Sequence, residues 1–256
     1  MLVKPHQQVF IDEFVPNIIT GLVQVTQERG FRILVEIVGE KNRRDEYIEL
    51  AMGKEIAGMI ILLHYYDAGD IENVVRLVAD GFPVVSTRYV DSSVCSVSED
   101  HLGGVQEAVT HLIRLGHRRI ACISFAPPAV ATTSRERLEK YRAVLEASGI
   151  PYDEGLVRYG VFDPETGYEA MQSLLKQEPP PTALFAMNDI MAFGAMAAIH
   201  EQGLRIPDDI AVVSYNDWRL ARYTNPPLTT VRAPDIEQGS APARCSSTLS
   251  TGRFQN

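Results

Sequence analysis

The chain has 256 residues, 45% of them apolar, which is enough for a buried core and excludes global disorder. Lys and Arg number 24 against 33 Asp and Glu, a formal charge of −9, so this surface is a poor match for nucleic-acid phosphates. No apolar run reaches the roughly 18–20 residues of a membrane span. The start, Met1 to His6, has no basic region followed by an apolar stretch, so no secretion signal is read there. Three scattered cysteines, Cys95, Cys122 and Cys245, argue against a disulfide framework and fit a reducing cytoplasm.

In chain order, short apolar runs alternate with helical periods. The first helical period is marked by Val15, Ile18, Ile19 and Leu22, and a strand is predicted over Arg32–Val38. A strand over Ala57–Leu63, a helix through Val74, Val75 and Val78, and a strand over Pro83–Val85 follow. Val105, Val109, Leu112 and Ile113 mark the next helix, then come the strand Arg119–Ser124 and a helix through Leu138, Tyr141, Val144 and Leu145. Thr182–Met187 and Ile210–Ser214 read as two further strands around a helix over Ile190–Gln202. The strands are apolar on both faces, as strands of a parallel sheet covered on two sides are. Glycines 30, 81, 116, 149 and 203 stop helices. Strand–helix repetition on this scale gives an α/β fold in two lobes. The lobe boundary is read at Gly116, giving residues 1–115 with 232–239 in one lobe and 116–231 in the other. From Ser240 the chain turns Ser/Thr-rich and loses all periodicity, and residues 240–256 are expected to be a disordered tail.

Several chemistries find no motif. There is no dinucleotide Gly-x-Gly-x-x-Gly after a strand, no phosphate-cradling Gly-x-x-x-x-Gly-Lys and no Gly-x-Ser-x-Gly nucleophile elbow. No His-x-x-x-His or Cys-x-x-Cys pair supports a metal, and no cofactor is expected. Cys122 reads as a core thiol, His117 as a group bonding a helix terminus, and Asp189 as the N-cap of the helix that follows it. Glu99 and Asp100 are adjacent, so in a strand they point to opposite faces and make no acid pair.

Three stretches carry a resemblance. They are Ala108–Ala121, Ser134–Ala143, and the run from Ala186–Ala192 through Gly203–Asp217 to Pro226–Val231. In this order and spacing the chain resembles, over roughly residues 1 to 239, the effector-binding core of the LacI/GalR family of bacterial transcription regulators. The resemblance implies a periplasmic-binding-protein-like clamp of two parallel sheets flanked by helices, with a small ligand between the lobes. It implies a sugar as the effector, with a purine as the other possibility, a homodimer, no membrane contact and no enzymatic turnover.

The family's ligand positions map onto this sequence one by one. Phe14 and Phe162 match aromatic positions, whose flat rings suit a sugar face or a base. Arg137 matches an arginine whose planar fork donates to neighbouring hydroxyls. Asp100 matches a cleft carboxylate. Asn188 and Asn216 lie at the C-terminal ends of strands, where open α/β sheets bind ligands. At Asn216 many family members carry Asp, so a charge is replaced by an amide. His64, Tyr65 and Arg88 end strands on the same rim. The family begins with a helix-turn-helix head and a hinge helix, through which it reaches operator DNA. It ends with an amphipathic helix and a strand, and none of these is found in this sequence. A transporter's solute-binding protein shares the fold but carries a secretion signal. A sugar hydrolase requires an acid partner that Asp100 lacks.

Overall fold

The computed structural model describes residues 2–3, 13–37, 46–53, 56–62, 68–127 and 132–241. The tail expected over 240–256 lies outside them except for residues 240 and 241. The chain folds as two compact units, one made of residues 1–99 and those from Pro234 onward, the other of Asp100–Ala233.

The first unit carries a five-stranded sheet of β1 (Leu2–Val3), β2 (Glu36–Ile37), β3 (Met59–Leu62), β4 (Val84–Ser86) and β5 (Cys95–Ser96), in the order β2-β1-β3-β4-β5. Every recorded pairing is parallel. Of the run predicted over Arg32–Val38, the described part forms a strand only at β2, although Ile33 and Val35 pack on the core beside it. Its helices are α1 (Phe14–Glu28), α2 (Glu46–Met52) and α3 (Ala68–Ala79). Two aliphatic clusters hold the unit: Met59, Ile61, Val74, Leu77 and Val84 in one, Val15, Ile18, Leu22 and Leu62 in the other. Fully burying such a side chain stabilises by about 1.5–3 kcal/mol.

The second unit contains α4 (His101–Arg114), β6 (Ile120–Ser124), α5 (Thr132–Ala147), β7 (Val157–Tyr159), α6 (Pro164–Leu175), β8 (Ala183–Ala186), α7 (Asp189–Glu201), β9 (Ala211–Asn216) and β10 (Thr229–Arg232). The sheet order is β10-β9-β8-β6-β7, again with parallel pairings. Strands β6 and β8 are buried at every position, and β9 at all but Asn216, which is why they read as continuous apolar runs. The helical periods of α4 and α5 point inward as expected. Val105, Val109 and Leu112 are fully buried, and Leu138, Tyr141, Val144 and Leu145 are all buried.

The structure places α4 with the second unit, ahead of the boundary read at Gly116. The reason is packing: α4 lies against α5, β9 and β10. A last helix, α8 (235–241), returns to the first unit, so helical structure runs past the point where irregular chain was expected. Gln238 pins it there, its Nε2 donating to the Thr87 and Val97 carbonyls at 2.7 and 2.9 Å.

Candidate functional site

The second unit gathers its chemistry at the C-terminal ends of β6, β8 and β9. Where β6 ends, Phe125 follows directly. The end of β6 and the start of α5 are tied by Ser134, whose hydroxyl lies 2.7 Å from that of Ser124 and donates to the Ala126 carbonyl. Arg137, one turn further along α5, is 7% exposed. Its Nη1 donates to the Met187 carbonyl, 3.1 Å away at the end of β8. Its guanidinium carbon sits 4.2 Å from the Tyr215 ring centre and 5.8 Å from that of Phe125. Both distances are within cation–π range.

Phe162 precedes α6, whose N-terminus is set by Asp163 accepting from the Glu165 N–H at 2.8 Å and by Pro164 in the first turn. The Phe162 ring stacks on Phe125, with centres 4.8 Å apart and planes at 28°. Its φ of 56° is left-handed, a conformation that non-glycine residues adopt at a cost of order 1–3 kcal/mol. Asn216, at the end of β9, also has positive φ, 119°. Phe162, Phe125, Arg137 and Tyr215 therefore form one continuous stack of rings and cation.

Asn188 caps α7. Its Oδ1 accepts from the Met191 N–H at 2.9 Å, while its buried Nδ2 has no hydrogen-bond partner among the described residues. This corrects the reading of Asp189 as the cap. Asp189 is the first residue of the helix and ties three elements together. It accepts from the Ser214 hydroxyl on β9, from the Thr230 hydroxyl on β10 at 2.6 Å, and from the Trp218 N–H at 2.7 Å. Burial pushes its carboxyl pKa up to about 6 against the pull of those three donors, and nearby Asp217 pushes it the same way.

The remaining sequence-predicted residues are spread more widely. Asp100 is exposed and caps α4, its Oδ1 accepting from the Gly103 N–H at 2.9 Å. Phe14 begins α1 in the first unit and packs on the Val15, Ile18, Leu22 and Leu62 cluster. Arg88, also in the first unit, follows β4 and donates its backbone N–H to the Ser86 hydroxyl at 3.2 Å. His64 and Tyr65 lie outside the described residues. His117 bonds a helix terminus through its backbone N–H, which donates to the Leu112 carbonyl in the last turn of α4 at 3.2 Å. Its Nδ1 meets the Thr182 hydroxyl at 3.0 Å, and burial lowers its pKa. Cys122 is a fully buried thiol whose pKa burial raises. Among the described residues no group of acids, histidines and cysteines is arranged to hold a metal, and no helix is long and apolar enough to cross a membrane.

Two members of the stack, Phe125 and Tyr215, escaped the sequence reading. Phe125 sits one residue past a strand end, the same criterion that selected Asn188 and Asn216.

Comparison with known proteins gives this geometry its context. A family model described as a periplasmic binding protein-like domain matches residues 109–245. The chain is 33% identical over 247 residues to the transcriptional regulator CelR of Thermobifida fusca, covering 93% of this chain and 70% of that one. It is 32% identical over 232 residues to the ribose operon repressor of Escherichia coli K12, covering 88% of this chain and 68% of the repressor. The solved CelR–cellobiose complex superposes with a TM-score of 0.84 at 31% identity, over 99% of this chain and 78% of that one. With two parallel α/β units in this order and relatives this similar over nearly its whole length, the chain belongs to the LacI family of transcriptional regulators.

Proposed function

We propose that this chain is the effector-sensing core of a LacI-type regulator and that the stack of Phe162, Phe125 and Arg137 receives a small carbohydrate. The observation that carries this reading is the stack itself. Two stacked rings offer an apolar face, and the guanidinium beside them offers a fork of donors. A sugar has the complementary pair of surfaces, a C–H face and a ring of hydroxyls. Two relatives point the same way: one was solved with cellobiose and another is named for the ribose operon. Asn188 adds an amide donor at the end of β8, and Asn216 stands where the resemblance places a ligand residue. Asp100, Phe14, Arg88 and His64 are carried over from the resemblance as further contacts. The site binds without turning its ligand over. Its buried carboxylate, Asp189, is committed to Ser214, Thr230 and Trp218.

The effector acts by favouring one conformation of the core, which changes operator affinity through a DNA-binding head of the family's kind. The core works as a homodimer in the cytoplasm. Leu220 and Tyr223, in the short 3-10 turn Arg219–Tyr223, are 61% and 79% exposed and suit a surface covered by a second copy. A purine effector is the second reading, because stacked phenylalanines suit a base equally, and PurR of Haemophilus influenzae is 30% identical over 225 residues.

Calorimetric titration with cellobiose, D-ribose and a purine base tests both readings. One class is expected to bind, and Arg137→Ala is expected to weaken it at least about tenfold, the equivalent of roughly 1.4 kcal/mol. Binding that Arg137→Ala leaves unchanged would remove the stack from the site.

A further inference from the structure

Arg137 carries five N–H donors in one plane, so what it can recognise depends on how that plane is held. The bond from Nη1 to the Met187 carbonyl fixes one point of the fork, and a flat surface beside the guanidinium constrains its tilt. The nearest such surface is the Tyr215 ring, 4.2 Å from the guanidinium carbon. That ring is 2% exposed, and the backbone of α4 backs it. At Gly104 an added Cβ would meet Tyr215 Cε2 at 2.5 Å, Oη at 3.0 Å and Cζ at 3.1 Å. The glycine lets the ring lie flush against the helix, and the helix keeps it from retreating. On the other side the Phe125 ring, backed by Phe162, limits swing at 5.8 Å.

We infer that Tyr215, seated on Gly104, is a positioning residue that fixes the plane of Arg137 for effector recognition. This rests on the reading that Arg137 contacts the effector. The ring face does the holding, so phenylalanine is expected to keep the plane of Arg137 and an aliphatic side chain is not. The contact exists before the effector arrives, so losing the ring costs binding only through lost preorganisation, and affinity is expected to fall by roughly tenfold. Gly104→Ala acts in the same direction by displacing the ring instead of removing it.

The test has one arm with ligand and one without. In the ligand-free protein, the Arg137 Nε–Hε signal in a nitrogen–proton NMR spectrum reads the ring directly. It is expected upfield of exposed arginines in the wild type and in Tyr215→Phe, and at ordinary positions in Tyr215→Leu. In the second arm, cellobiose and D-ribose are titrated into the wild type, Tyr215→Phe, Gly104→Ala and a series with increasingly fluorinated phenylalanine at position 215. Fluorination leaves the ring's shape nearly unchanged but weakens its hold on a cation. Affinity that falls along the series while the melting temperature stays level supports positioning; affinity with no trend overturns it. If neither sugar binds the wild type, the sugar reading fails and the NMR arm still decides. An Arg137 signal at exposed positions in the wild type, or one that Tyr215→Leu leaves unmoved, overturns the inference.

Discussion

Both units contain a pair of helices that cross on two glycines, and they use the crossing differently. In the second unit α6 meets α7, where an added Cβ at Gly167 would strike the Met191 carbonyl and one at Gly194 the Pro164 carbonyl. In the first unit α1 meets α8, where Gly21 would strike the Ile236 carbonyl and Gly239 the Ile18 carbonyl. Only β8 separates α6 from α7 along the chain, so that crossing forms between near neighbours. Helices α1 and α8 lie near the two ends of the described chain, so their contact closes a loop of more than 200 residues. Contacts close in sequence form readily, whereas distant ones first require a long loop to close. The second unit is therefore built largely from consecutive pieces. The first is completed by a helix from the far end of the described chain.

The strongest way to break this comparison is to fill the crossings. Gly194→Leu drives a side chain into the backbone of α6 and is expected to cost more than about 3 kcal/mol. A denaturant titration should show the whole second unit destabilised. Gly239→Leu meets an equal clash but should release only α8. Hydrogen exchange is expected to open the amides of 235–241 while β6, β8 and β9 stay protected; loss of protection in those strands too would contradict the division.

A second contrast is polar. Asp189 holds its proton more tightly in the folded unit than in an unfolded chain, because burial raises its pKa from 3.8 to about 6. Its contribution to stability is thus fully present below about pH 4 and is lost as pH rises through about 6, a change of up to about 3 kcal/mol. Melts across that range should show this slope, and Asp189→Asn should flatten it. The first unit's counterpart is neutral. Gln238→Leu removes both bonds from α8 to the Thr87 and Val97 carbonyls and should cost about 1–3 kcal/mol with no pH dependence, read by the same melts. Arg205→Ala, which breaks the exposed pairing to Asp208 and Asp209, is expected to leave the melt where it was.

In the second sheet the sequence made the centre legible and left the edges obscure, whereas in the first even the run over the edge strand β2 stood out. β6, β8 and β9 are buried at nearly every position, so their apolar runs stand out. β7 and β10 are partly exposed, and Val157–Tyr159 and Thr229–Arg232 look like loop until their neighbours are known. The site divides in the same way. Arg137, Phe162 and Asn188 could be named because they match a family pattern. Phe125 and Tyr215 are ordinary core aromatics by composition, and only the fold shows that they enclose a guanidinium. Asp189 looked like a local cap because its true partners, Ser214 and Thr230, are 25 and 41 residues away. Tertiary hydrogen bonds of that span leave no periodic trace in a sequence.

On the proposed reading, the second unit's stack holds a small effector. A thermal melt of the chain against a panel of sugars and purine bases tests it most directly. A ligand present at about 100 times its dissociation constant adds about 2.7 kcal/mol, which for a chain this size raises the melting temperature by roughly 5–10 °C. One chemical class should produce that shift in the wild type and none in Arg137→Ala. A cooperative melt that no member of the panel moves, or a shift that survives Arg137→Ala intact, would contradict it.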